Sequence, residues 1–247
     1  MTMKLREVLY IGLWDSLPLL RDPMLLILIS TFSFLPVFFL ALFASGRQAI
    51  AALVGAVVMS LAFNGLFVAQ SVYYNKHWFR FQDILVASPI SSLSYAMGLS
   101  FSTLITSSPA LLLSFSILTV YVPISPVNFL AVLAIVALMW LAMVFVGQAI
   151  GLSVRNMRWA NSIPQVLGLL LGFLPPVYYP LSLLPAFLQP VAMLVPSTDA
   201  AQLAKNYFGL LPGPLSSADI IVSWAYLLLF VITMALISAR RAHWVDP

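Results

Sequence analysis

The sequence has no cysteine and only two histidines among its 247 residues. Without thiols there can be no disulfide, thiolate metal site or thiol nucleophile. His77 and His243 lie far apart in the chain and form no ligand cluster at short spacing. Charge is also scarce: Asp, Glu, Lys and Arg make up 7% of the residues, where a soluble domain carries about a quarter. Eleven basic and seven acidic side chains leave a net +4, too thin and scattered for a nucleic-acid surface. The phosphate-cradling pattern G-x-x-x-x-G-K-[ST] does not occur, so any ATP-derived energy must come from another molecule. What the chain has in excess is apolar surface, with 62% hydrophobic residues and a mean hydropathy of +1.06. A water-soluble globule would have to expose far too much of it.

A helix crossing the hydrocarbon core needs about 20 mostly apolar residues. Six segments meet that need: 24–43, 48–70, 93–120, 126–152, 163–179 and 220–239, none containing Lys, Arg, Asp or Glu. A further apolar stretch, 181–195, is short and is broken by Pro185 and Pro190, with Pro180 and Pro196 at its ends. It reads as a pair of short helices entering the membrane and returning, with a kinked seventh span as the alternative. Basic residues discriminate between the two. With six spans, Lys4, Arg6, Arg21, Lys76, Arg80, Arg155, Arg158, Arg240 and Arg241 share one side, leaving Arg47 and Lys205 on the other. That asymmetry places both termini in the cytoplasm and favours the re-entrant hairpin.

The expected fold is therefore an all-α integral membrane protein forming one domain over 1–247. It has an N-terminal interfacial helix within 1–22, six spans, a cytoplasmic segment at 75–90, and an external re-entrant hairpin and loop at 181–217. The first apolar run begins too late and is too long for a cleaved leader. Ahead of it, Leu5, Val8, Leu9 and Leu13 recur at helical spacing, with Trp14 as an interfacial anchor. This helix is either a plain anchor or one that also touches a cytoplasmic partner.

Two cytoplasmic loops lie between spans. The larger, about 71–92, mixes charge (Lys76, Arg80, Asp83) with aromatics (Tyr73, Tyr74, Trp78, Phe79, Phe81). Phe81, Ile84 and Leu85 fall on one helical face, stopped by Ser88-Pro89. It is either a solvated loop or a docking element that takes force from a soluble subunit. In the smaller loop, Arg155 and Arg158 are spaced to share a helix face and either satisfy the inside charge bias or bind lipid phosphates. Polar residues inside the spans are few: Asn64 and Gln70 in the second, Gln148 in the fourth, with Asn161 and Gln165 at the entry to the fifth. Each either hydrogen-bonds a neighbouring helix or lines a substrate path. No buried carboxylate or histidine is available for a proton relay or for intramembrane proteolysis. Gly147 and Gly151, like Gly168 and Gly172, form G-x-x-x-G pairs that permit close helix approach.

Two motifs carry a family resemblance. Asp83-Ile84-Leu85-Val86-Ala87-Ser88-Pro89-Ile90-Ser91, followed by Gly98, resembles the post-second-span element of type-2 ATP-binding-cassette (ABC) exporter permeases. Pro176-Val177-Tyr178-Tyr179-Pro180-Leu181-Ser182-Leu183-Leu184-Pro185, continuing to Pro196-Ser197-Thr198, resembles that family's turn from the fifth span into an external hairpin. The chain departs from the family in having Arg80 and Phe81 where glycine is common, and Leu99 where a basic residue is common. The resemblance implies a permease working with a second permease copy and two separate ATPase subunits, which would hold the ATP and Mg; this chain would bind no cofactor. It also implies a coupling helix, with Lys76, Phe79, Arg80, Phe81, Asp83, Ile84, Leu85, Ser88 and Pro89 contacting the ATPase.

Since no span offers a charged site, the expected cargo is a hydrophobic or amphipathic small molecule, drug-like or antibiotic-like, exported across the plasma membrane. Asn64, Gln70, Gln148, Gln165, Tyr178 and Tyr179 are the candidate path residues. Aromatic rings, among them Tyr178 and Tyr179, keep a polysaccharide or lipid-linked glycan cargo open as the alternative. A non-transporting membrane scaffold is the alternative of another class.

Overall fold

The computed structural model describes residues 4–28, 46–77, 90, 92–173 and 175–241. Among the described residues the chain is helical, with no strand. α1 (Leu5–Leu20) is followed by helical backbone at 23–28. Then come α2 (Arg47–His77), α3 (Ser92–Tyr121), α4 (Pro126–Ser153), α5 (Met157–Phe173), a 3₁₀ turn (Leu181–Leu183), α6 (Gln189–Met193), α7 (Pro196–Tyr207) and α8 (Ser217–Arg241). Among the described residues four helices are long and apolar enough to cross a membrane: α2, α3, α4 and α8. The first expected span, 24–43, lies mostly outside the described residues. The fifth appears as the 17-residue α5, which begins six residues before the apolar run expected there.

Local chemistry sets the helix ends. Ser125 caps α4 by accepting the Asn128 amide at 3.2 Å, with Pro126 in the first turn. Ser216 and Asp219 form a reciprocal cap on α8, the Ser216 Oγ accepting the Asp219 amide at 3.1 Å. α7 ends where Gly209 takes φ +63 and the Leu210 amide returns to the Lys205 carbonyl at 2.9 Å, a closure that needs the left-handed conformation glycine allows.

α2 is the central helix, and α3, α4, α5 and α7 all pack on it. Its interior face carries Val54, Val57, Val58, Leu66 and Val68, all essentially without solvent exposure. The α2–α4 contact is set by backbone proximity. A Cβ on Gly147 would lie 2.7 Å from the Leu66 carbonyl oxygen, and one on Gly151 would lie 2.6 Å from that of Ala69. This G-x-x-x-G pair therefore marks a real close approach. The second pair splits: Gly168 abuts the Phe63 ring, whereas Gly172 has ordinary contacts.

The structure differs from the sequence reading at three places. α1 does not lie free on a surface but packs along the first turns of α3, with Gly12 against Phe101 and Gly98 against Ile11. Its buried side is Val8, Ile11, Gly12 and Ser16, while Leu5, Leu9, Leu13 and Trp14 stay exposed. Small residues let two backbones meet, and lipid accepts the leucines at no cost, so the bulkiest face is not the packed one. Second, the polar stretch from Ser71 to His77 is not loop but the last two turns of α2. Third, Arg155 sits in the turn ahead of α5, and the helix starts behind Asn156, whose Oδ1 accepts the Trp159 amide at 3.1 Å; Arg155 and Arg158 therefore share no helix face. The stretch 181–195 holds only the 3₁₀ turn and the five-residue α6. At 1.5 Å per residue neither can cross a bilayer, so a continuous kinked span is not what forms there.

Along α3 the hydroxyls of Ser100, Thr103, Ser107, Ser114 and Ser116 donate to carbonyls three or four residues back, at 2.6–2.8 Å. These side chains are thereby satisfied within their own helix.

Candidate functional site

Three polar groupings sit between the helices. Towards the C-terminal end of α4, buried Gln148 donates from Nε2 to the Ala96 carbonyl at 2.9 Å and to the Ser100 hydroxyl at 3.3 Å. It also accepts the Ser238 hydroxyl at 3.2 Å. One amide thus joins α3, α4 and α8. Trp140 adds an indole hydrogen bond to Thr103 at 2.8 Å, and Arg241 reaches the Ser153 hydroxyl at 2.6 Å.

A second grouping joins α1 to α2 and α3. Asp15 lies against the Ser102 hydroxyl, while the Asn75 amide approaches it without closing a well-aligned bond; Tyr95 is beside Asn75. Burial pushes the Asp15 carboxyl up from its ordinary value, and the Ser102 and Asn75 contacts only partly oppose that. An acid in the C-terminal half of α1, well away from Arg6 and Glu7 in the first turn, is thus seated between two of the long helices.

The third grouping surrounds α7 at the other end of the bundle. Ser197 donates to the Leu171 carbonyl at 2.8 Å, and Lys205 Nζ donates to the Pro176 carbonyl at 3.3 Å. Both bonds tie α7 to the end of α5 and the turn after it. Asp199 accepts the Ser223 hydroxyl at 2.6 Å, Tyr226 donates to the Leu194 carbonyl at 2.6 Å, and the Trp224 indole donates to the Tyr207 hydroxyl at 3.1 Å, fixing the segment on α8. Asn128 donates to the Tyr207 carbonyl at 3.2 Å, and Arg47 donates to that of Gly209, so the start of α4 and of α2 also hold the end of α7. The turn itself is wedged in: a Cβ on Gly55 would collide with the Val177 carbonyl, and Pro175, Pro176, Val177 and Tyr178 are buried.

The family-model comparison settles the class. The ABC-2 type transporter model matches residues 13–208, from within α1 to just past the end of α7. The chain belongs to the ABC-2 type transporter family. It is accordingly a membrane-embedded permease component of an ABC transporter, a class that works with an ABC ATPase. No curated protein matches the chain.

The residues expected to matter in this permease fall out as follows. Of the coupling set, Lys76 is half-buried in the last turn of α2. Phe79, Arg80, Phe81, Asp83, Ile84, Leu85, Ser88 and Pro89 lie outside the described residues. The path candidates do not converge on one surface. Gln148 is bonded to α3 and α8, Asn64 donates to the Ser60 carbonyl of its own helix at 3.0 Å, and Gln70 is half-buried on α2. Gln165 is exposed on α5, while Tyr178 is buried and Tyr179 half-buried in the turn beside α7. Sequence reasoning missed Asn75, read Asp15 only as one of the charges on the N-terminal surface helix, and counted Lys205 only towards charge asymmetry. Signals for α7 were nonetheless present: Pro196 at the start, Asp199 in the first turn, Lys205 in the last and Gly209 just beyond.

Proposed function

We propose that this permease exports a hydrophobic or amphipathic small molecule of drug-like or antibiotic-like character across the plasma membrane. Two ABC ATPase subunits, holding ATP and Mg, drive it; a second permease copy completes the path; this chain binds no cofactor itself. The supporting observation is the charge distribution of the long helices. α3 and α4 contain no Asp, Glu, Lys or Arg, and α2 and α8 carry theirs only in terminal turns. An ionic cargo would meet no counter-charge there, whereas an apolar one needs none.

In this reading both termini are cytoplasmic and the segment Lys76–Pro89 docks into the ATPase. Phe79, Phe81, Ile84 and Leu85 supply the apolar grip, and Arg80 and Asp83 the polar one. The 181–217 region, with its two short helical pieces followed by α7, forms a re-entrant cap on the outer side. The test is to tag the C-terminus, purify gently from native membranes, and look for a co-purifying ATPase with a phosphate loop. Replacing Phe81, Asp83 and Leu85 by Ala should lose or uncouple it. Recovery of intact chain without any ATPase would favour the scaffold. With the ATPase in hand, ATP-driven accumulation of an uncharged hydrophobic dye in inverted vesicles distinguishes a small-molecule cargo from a lipid-linked glycan.

A further inference from the structure

The two basic residues on the side of α7, Arg47 and Lys205, both donate to backbone carbonyls, but in different surroundings. Arg47 is exposed, so its bond to Gly209 exchanges freely with solvent. Lys205 is only 5% exposed. The single hydrogen bond of its ammonium among the described residues is the 3.3 Å contact with the Pro176 carbonyl. No carboxylate forms an ion pair with it there, since the ion pair found among those residues is Lys4 with Glu7. The nearest acid along its own helix, Asp199, is engaged by Ser223. An ammonium offers three donors, and burying it with one neutral acceptor and no counter-charge costs more than that bond returns. The downward displacement of its pKa, caused by burial, agrees with this.

Lys205 is also at the joint between α7 and the turn that follows α5. It clasps the turn at Pro176, whose next residue, Val177, is completely buried against Gly55 of α2. Separating α7 from that turn breaks one long hydrogen bond and returns a charged group to water. We infer that Lys205 is a positioning residue that keeps this closure near balance, loading the closed state so that the turn can part from α7. The inference rests on the exporter reading above for the direction of opening. An apolar side chain of equal reach would seat more comfortably and shut the joint harder, contrary to what a simple latch would do.

The absence of cysteine makes a direct test possible. Val177→Cys puts a single thiol at the joint, and Gly213→Cys puts one in the exposed loop after α7, where nothing crowds it. Intact cells expressing the permease with its ATPase are treated with a membrane-impermeant maleimide, and the V177C labelling rate is divided by the G213C rate. Lys205→Met is expected to lower this ratio roughly fivefold, with Lys205→Arg close to the parent. An unchanged or raised ratio in Lys205→Met overturns the inference and leaves the exporter reading intact. Loss of folded Lys205→Met protein from the membrane also overturns it, because the ammonium would then be stabilising the closed fold. If G213C labels only after permeabilisation, the orientation fails, and with it the outward-opening reading.

Discussion

Ser238 and Gln148, ninety residues apart, meet through a 3.2 Å hydrogen bond from the serine hydroxyl to the amide oxygen. The same amide donates to α3, so three of the long helices depend on one side chain. Gln148→Leu removes these bonds and strands the Ser238 hydroxyl. It should cost about 1–2 kcal/mol, and Ser238→Ala about 0.6 kcal/mol. Denaturant or thermal unfolding of the purified protein in detergent would read both, and equal losses would show that the amide is not shared.

Backbone proximity between α2 and α4 gives a steeper expectation. Gly147→Leu pushes a side chain into the Leu66 carbonyl and should destabilise by about 1–3 kcal/mol or more, because two helix backbones must separate. Gly172→Ala is the matched control. Its new Cβ would lie 3.5 Å from the Met59 methyl, an ordinary contact. It should be neutral or stabilising by up to about 1 kcal/mol from helix propensity. Monomer unfolding and membrane yield of the two variants should move in opposite directions.

Asp15 predicts a pH dependence. Its folded-state pKa is raised above 3.8, chiefly by burial, so the folded protein holds this proton where the unfolded chain has already released it. The stabilising contribution is complete below the unfolded value and is lost as pH rises through the folded one. Asp15→Asn keeps the shape and removes the charge. Its stability relative to the parent should therefore grow as pH rises from about 4 to neutrality, as read by melting in detergent. A difference that shrinks over that range would mean the carboxylate is favourably held.

Lys205 predicts the complementary trend at alkaline pH. Its pKa falls from 10.5 to about 8. Between those values the unfolded lysine is protonated and the folded one is not, so stability rises with pH across that window, and the burial penalty is complete below it. Asp199 and Tyr207 on the same helix are bonded to Ser223 and Trp224. The stability advantage of Lys205→Met over the parent should consequently narrow between pH 8 and pH 10.5. A constant difference would show that the ammonium remains charged throughout.

Much of this architecture was legible in the sequence where physics acts locally. Uncharged apolar runs gave α2, α3, α4 and α8, and Pro126 behind Ser125 announced the start of α4. The prolines at 185 and 190 marked the stretch that forms no long helix. What escaped was pairing. Apolar periodicity on α1 pointed to Leu5, Val8, Leu9 and Leu13, of which Val8 packs and the leucines do not; in lipid a leucine gains nothing by facing protein, so Gly12 and Gly98 decided which side packed. Asp15 with Ser102, and Lys205 with Pro176, join segments far apart in the chain, and nothing in the composition of either segment announces its partner.

The self-bonded hydroxyls of α3 bear on how the helices can move past one another. A serine-rich helix whose polar groups required outside partners would be pinned by every one of them. Here Ser107, Ser114 and Ser116 close their bonds within the helix, and hydrogen bonds reach α3 from other segments at Ser94, Ala96, Ser100, Ser102 and Thr103. Among the described residues no side-chain hydrogen bond ties α3 beyond Thr103 to a neighbouring helix, so against those neighbours this half is held by packing alone while the stem before it is anchored by hydrogen bonds.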